Sequence, residues 1–121
     1  MKTFKPINER VAYVDLERRR LRIRLITAYF PHSGYNDQHV QRIYDTLNNI
    51  THEARKAKKH VVIGADCNAR AGTMTNDDDP RTIGRYGIGP CNARGQWFKN
   101  WASSQDLVLT NTFFQKQPHN Y

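Results

Sequence analysis

The chain has 121 residues, 38% of them hydrophobic and 25% charged, which suits one domain with one modest core rather than two. Nineteen Lys and Arg against eleven Asp and Glu leave a formal net charge of +8, an excess that favours a polyanionic partner, with nucleic acid the first candidate. Two cysteines exclude a disulfide framework, and apolar runs of about four residues exclude a membrane-spanning helix, which needs about twenty.

In chain order, the opening Met1–Arg10 segment is basic but has no apolar stretch behind it, so it does not read as a secretory signal. Val11, Tyr13 and Asp15 alternate with Ala12, Val14 and Leu16; a polar run from Glu17 to Arg20 follows, and Leu21, Ile23 and Leu25 alternate with Arg22 and Arg24. That pattern predicts a strand, a turn and a second strand. Ile26 to Phe30 loses the alternation, which predicts burial on both faces before Pro31 ends the strand. Asn36 is placed to cap a helix whose apolar positions Val40, Ile43, Tyr44, Leu47, Ile50, Ala54 and Ala57 recur every three or four residues. Asp37 in its first turn, and Arg55, Lys56, Lys58 and Lys59 at its end, complement the helix dipole. The same basic cluster could instead contact phosphate.

Val61-Val62-Ile63 follows immediately, the continuous apolar run of a central strand covered on both sides. From Arg70 to Cys91 the chain is polar and rich in Gly and Pro, which predicts a long irregular loop, a feature usually functional or disordered. Asn92 opens a second helix with Trp97, Phe98, Trp101 and Ala102 on one face, ending near Gln105, and Leu107 to Phe114 reads as a returning strand. The predicted order is β-β-α-β-loop-α-β, an α+β fold.

Asp66 and Asn68 stand two residues apart at the end of the buried run, so an extended chain there would project both to one side. A carboxylate can orient a water or hold a hard cation, and an amide can donate to an anionic oxygen; phosphodiester hydrolysis uses both. The small neighbours Gly64 and Ala65 leave room for a substrate backbone. The plainer alternative is that both side chains cap a turn. Asp77-Asp78-Asp79 reads as a solvated acidic tip rather than a cation site, and His32, His39, His52, His60 and His119 show no metal-ligand spacing. Trp97 and Trp101 read as core aromatics, and Arg18, Arg19, Arg20, Arg22 and Arg24 as cations that grip phosphate or solubilise an edge.

Five segments together carry a resemblance. Tyr29-Phe30-Pro31 at a strand end, the helix after Gly34-Tyr35, Gly64-Ala65-Asp66-Cys67-Asn68-Ala69, Asn92-Ala93-Arg94-Gly95 before a helix, and Thr110-Asn111-Thr112-Phe113-Phe114 resemble, in order, the DNase I-like endonuclease/exonuclease/phosphatase family. Within it the likeness is to endonuclease domains of non-LTR retrotransposons and the related craniofacial-development-protein-like sequences, and it runs from about Val11 to Tyr121. The resemblance implies a four-layer α/β/β/α sandwich, of which residues 1–121 would be the central part, and Mg²⁺-dependent hydrolysis of phosphodiesters in DNA. Asp66 resembles the acid that activates water, Asn68 the amide that stabilises phosphate, and Tyr29 the aromatic hydroxyl beside the scissile phosphate. Asn92 resembles a substrate-binding asparagine of the neighbouring loop, and reads equally as a helix N-cap.

Two departures stand out. The family's commoner Gly-Asp is here Gly64-Ala65-Asp66, one small residue longer. The upstream Asn and metal-binding Glu, and the downstream Asp-His segment, have no match, since Glu9, Glu17 and His119 stand in other contexts. Loss of one catalytic group costs factors of about 10³ to 10⁶, so the resemblance implies a chain inactive or nearly so by itself, with an incomplete Mg²⁺ ligand set. The expected partner is DNA rather than a membrane, with a reverse transcriptase domain as a neighbour in a parent polyprotein, in an intracellular and plausibly nuclear setting. The other reading is a non-catalytic remnant with a basic nucleic-acid-binding surface. A phosphatase acting on inositol lipids fits the charge and the motifs less well.

Overall fold

The structure, a computed structural model, describes residues 2–32 and 36–115. It is mixed α+β: β1 (Lys2–Pro6), β2 (Val11–Arg18), β3 (Leu21–Tyr29), α1 (Asp37–Lys56), β4 (His60–Asp66), α2 (Ala93–Ser104) and a 3₁₀ turn at Thr110–Thr112. The chain divides into two compact units, Met1–Asn68 and Ala69–Tyr121.

The first unit is a four-stranded sheet in the order β1-β2-β3-β4 with α1 against one face. β1, β2 and β3 pair antiparallel, and β3 pairs parallel with β4. The parallel pair needs a crossover, and α1 supplies it. α1 begins where Asn36 Oδ1 accepts from the His39 amide at 3.0 Å, satisfying one of the orphan donors of the first turn. Its stripe, Val40, Ile43, Tyr44, Leu47, Ile50, Thr51 and Ala54, is buried. The sheet contributes Val11, Tyr13, Ile26, Ala28 and Phe30 to the core, and the Phe30 and Tyr44 rings meet at 5.0 Å between centroids. The stripe matches the predicted one except for Thr51, which is buried, and Ala57, which is half-buried beyond the last turn.

Three expectations give way. Alternation persists through the end of β3, with Ile26, Ala28 and Phe30 buried but Thr27 and Tyr29 exposed, because α1 covers only one face. β4 is an edge strand rather than a central one, and Val62 is 49% exposed. Arg24 does not project from the hairpin: it is 2% exposed, clamping Asp15 through two hydrogen bonds of 2.8 and 2.9 Å and reaching Glu53 and the Ile50 carbonyl of α1. β1 is an additional strand with a single large apolar side chain, Phe4, which is 67% exposed.

In the second unit α2 is capped by Asn92 and ends at Gln105, as its sequence indicates. The Arg70–Cys91 stretch is irregular but has a core, with Thr82 and Ile83 buried. Asp78 is not solvated: its side chain is 4% exposed and pairs with the 3%-exposed Lys99 of α2 at 3.0 Å. The returning strand does not form. The Leu109 amide donates to the Thr82 carbonyl, the Tyr86 amide to the Thr112 carbonyl and the Gly84 amide to Thr112 Oγ1, so the segment spends its backbone bonds on the loop rather than on a sheet. Gly34, Tyr35 and His119 lie outside the described residues.

Candidate active site

Two of the residues singled out by sequence meet at the carboxyl ends of the parallel strands. Tyr29 and Asp66 are register partners at the last pair of β3 and β4. In-register residues of neighbouring strands project to the same face, so the phenol and the carboxylate stand side by side, both exposed. The carboxyl edge of parallel strands is where open α/β sheets bind ligands. The extra residue in Gly64-Ala65-Asp66 is absorbed without a bulge, since the register runs unbroken from Ile23↔His60 to Tyr29↔Asp66. A side chain at Gly64 would meet no atom within 4 Å, so the face beside Asp66 is open.

Asn68 joins this edge differently from the way its spacing suggests. The strand stops at Asp66, and Asn68 takes a left-handed backbone with φ of 45°, so the two side chains do not share a pleat face. The Asn68 amide nitrogen instead donates to the Phe30 carbonyl at 2.6 Å, and its backbone N–H donates to Asp66 Oδ1 at 3.2 Å. The turn-capping alternative therefore describes the local bonding. It also has a consequence for the edge: Asn68 ties the end of β4 to the residue after Tyr29, and the Phe30 amide returns a bond to the Asp66 carbonyl at 2.8 Å. Tyr29, Asp66 and Asn68 are thus fixed to one another through backbone and side chain alike. Burial, and then the neighbouring Asp66 carboxylate, push the thiol of Cys67 between them up to about 12, which disfavours the thiolate.

Arg10 is the member that sequence reasoning missed. Asn8 Oδ1 accepts from the amides of Arg10 and Val11 at 2.8 and 2.9 Å, folding the turn before β2 so that the Arg10 guanidinium lies 5.4 Å from the Tyr29 ring centroid. Its Nη1 also donates to the Tyr29 carbonyl at 3.4 Å. No motif surrounds Arg10, and only the Asn two residues before it hinted at a turn. The edge therefore presents a carboxylate, a phenol and a guanidinium. The first can take a proton or orient a water, and the other two can meet a phosphate oxygen.

Asn92 belongs to the second unit, where it caps α2. Its Oδ1 accepts from the Gly95 amide at 2.7 Å and from the Arg70 amide at 3.0 Å, and its own amide donates to the Arg70 carbonyl at 3.1 Å. A Cβ at Gly95 would overlap that carbonyl, so the close approach of Arg70 requires glycine there. Among the described residues no group of three or more His, Cys, Asp or Glu side chains is arranged to hold a metal ion.

An α+β unit with a polar edge at the end of a parallel strand pair is the class these observations define. The chain is similar to craniofacial development protein 2 of Bos taurus, with 28% identity over 109 residues, 90% of this chain and 18% of that protein. It is also similar to craniofacial development protein 2 of Tragulus javanicus, with 26% identity over 109 residues and the same coverage of each. The chain thus spans 18% of the length of these curated relatives. No family model matches it, and no solved structure does.

Proposed function

We infer that this chain is part of a DNase I-like phosphodiesterase of retroelement-endonuclease type that acts on DNA. The observation that carries the reading is the in-register placement of Tyr29 and Asp66 at the carboxyl edge of β3 and β4, at the positions where the family resemblance puts a phosphate-contacting phenol and a water-activating acid. In this reading a backbone phosphate enters over Gly64. The Tyr29 hydroxyl and the Arg10 guanidinium hold its non-bridging oxygens. Asp66 accepts the proton of the attacking water as its oxygen bonds to phosphorus and the bond to one sugar oxygen breaks, the departing oxygen taking a proton from solvent; Asn68 acts as a positioning residue through its bond to Phe30. Donors fixed by strands and turns do not have to reorganise as charge develops.

The family resemblance implies Mg²⁺. The described residues do not fit a complete magnesium site: no group of three or more His, Cys, Asp or Glu side chains gathers among them, and Mg²⁺ takes near-octahedral oxygen coordination.

Plasmid nicking with Mg²⁺, measured on the protein in its full encoded form beside Asp66→Ala, tests the reading. The variant is expected to lose about 10³-fold or more in rate while its affinity for duplex DNA stays within about twofold. Equal nicking by both proteins overturns the catalytic assignment. The incomplete donor set supports a second reading, a DNA-binding module without hydrolysis; binding by the full protein with no nicking would establish it.

A further inference from the structure

The sheet has a second charged end. The β2–β3 turn, Arg19-Arg20, and the α1–β4 loop lie together at the end of the first unit opposite Tyr29, since β3 starts at Leu21 and β4 starts opposite Ile23. Arg22 Nη1 bridges them by donating to the Ala57 carbonyl at 2.6 Å. This end presents Arg18, Arg19, Arg20, Arg55, Lys56 and Lys58, all exposed. None of the six has an ion-pair partner among the described residues. The nearby acids are engaged elsewhere: Asp15 with Arg24 and Lys59, Glu53 with Arg24, and Glu17 with Arg22.

Two of these cations occupy positions whose backbone favours glycine or asparagine. Arg19 has φ of 55° and Lys58 has φ of 62°. At Lys58 the α1 C-terminus closes as a Schellman turn, with the Lys58 amide donating to Arg55 O at 3.0 Å and the Lys59 amide to Ala54 O at 2.9 Å, and glycine is the usual occupant of that position. The helix dipole accounts for Arg55 and Lys56. It does not account for three consecutive arginines on a hairpin tip, nor for cations in both left-handed positions.

We propose that this end of the sheet is a docking surface for the phosphate backbone of nucleic acid, separate from the Tyr29–Asp66 edge and independent of whether that edge cleaves. Four of the six cations are arginines, whose planar fork suits phosphate. Their exposed side chains carry no fixed direction, so they read charge rather than base sequence. An anionic membrane is the weaker fit, because Leu21, 53% exposed, is the single large apolar side chain of the hairpin tip, and an interfacial anchor needs an apolar face. The nine residues of β3 span about 26 Å at about 3.3 Å per step, so one duplex of about eight base pairs could reach from this end to the other.

The test is fluorescence anisotropy of the full 121-residue chain with a labelled random-sequence duplex of about 20 base pairs, titrated from about 50 to 200 mM salt. Arg19→Gly/Lys58→Gly removes two charges while placing glycine where the backbone favours it. Two lost phosphate contacts flatten the log–log salt slope by about 1.8 and weaken binding about 60-fold at about 0.1 M salt, with a thermal midpoint at or above that of the parent. Arg18→Ser/Arg20→Ser, which leaves both left-handed positions untouched, should weaken binding similarly and decides the matter should the glycine pair fail to fold. Lys5→Ser/Arg42→Ser removes the same charge elsewhere on the unit and should cost no more than about threefold. Parental affinity in both tip variants overturns the proposal, as does a loss no greater than that of Lys5→Ser/Arg42→Ser. Loss of binding to phosphatidylserine vesicles with duplex binding unchanged also overturns it, in favour of a membrane surface.

Discussion

Replacing Arg24 by Met should destabilise the first unit by about 2 kcal/mol at neutral pH, and about half of that cost should disappear in acid. Arg24 hydrogen-bonds both Asp15 oxygens at 2.8 and 2.9 Å and lies 3.9 Å from the Tyr13 ring centroid. Its hydrogen bond is the largest influence on Asp15, and together with Lys59 it outweighs burial and holds that carboxyl down from 3.8 to about 2. At about 1.4 kcal/mol per pH unit the whole shift amounts to about 2 kcal/mol; Lys59, 2.9 Å from Asp15 Oδ2, keeps part of it in the variant, so about 1 kcal/mol goes with Arg24, and the cation–π contact adds about 1 kcal/mol. Glu53, with a side chain 66% exposed, adds little. As pH falls, the unfolded chain takes up the Asp15 proton first, near 3.8. The stabilisation is therefore complete above about pH 5 and is lost as pH falls through about 2. Urea unfolding of both proteins at pH 7 and at pH 2 measures this, with an expected cost of about 2 kcal/mol at the first and about 1 kcal/mol at the second. A cost that does not change between the two would refute the ionic origin of the effect, and a cost below about 1 kcal/mol at pH 7 would refute the importance of the clamp.

Lys99→Met leaves the buried Asp78 carboxylate without its ammonium and should cost about 3 kcal/mol, while Lys99→Met/Asp78→Leu should recover a substantial part, as thermal melts of the two variants will show. Burial alone would raise the Asp78 carboxyl, but the Thr75 amide and Lys99 hold it below its ordinary value, so this pair too weakens as pH falls below about 4. Asn92→Ala removes the α2 cap and the Arg70 link together and should cost about 1 to 2 kcal/mol in denaturant unfolding. Asn68→Ala both frees the Phe30 carbonyl and puts a Cβ-bearing residue without a local side-chain bond in a left-handed turn, for a similar loss; Asn68→Gly should restore the backbone share of it. Equal stabilities for the two Asn68 variants would show that the backbone conformation contributes nothing.

What could be read from the residues is the periodic part of the fold. α1 declared itself because an apolar residue recurs every three or four positions between an Asn cap and a basic end, and that stripe is the one buried. The Val11–Arg24 hairpin declared itself by alternation. The unbroken runs Ile26–Phe30 and Val61–Ile63 suggest burial on both faces of β3 and β4 and mislead, since α1 covers one face only and Thr27, Tyr29 and Val62 are exposed. β1 has one large apolar residue and no period, so nothing local marks it; its partner β2 supplies the register. The Leu107–Phe114 run has the composition of a strand, but Thr112 binds the loop through its hydroxyl and its carbonyl, a tertiary competition that β-propensity does not encode.

The candidate site divides along the same line. Asp66 could be placed because the end of a strand is a local event, and the residue that ends it projects from a known edge. The direction of Asn68 could not, since one residue with φ of 45° reverses the side on which the next group points, and asparagine adopts that conformation more readily than most residues. Arg10 shows why spacing alone misses partners: it reaches Tyr29, nineteen positions on, only because Asn8 folds the intervening turn and the β2–β3 ladder brings the two chain segments level. The two halves of the edge then depend on each other. Asn68 holds β4 to Phe30, Arg10 holds the opposite side of Tyr29, and the phenol and Asp66 keep a common face because β3 is secured from both neighbours. A substitution that loosens either flank should misalign Tyr29 and Asp66 without touching them, so on the reading proposed above plasmid nicking should fall more steeply in Asn68→Ala than the thermal midpoint does.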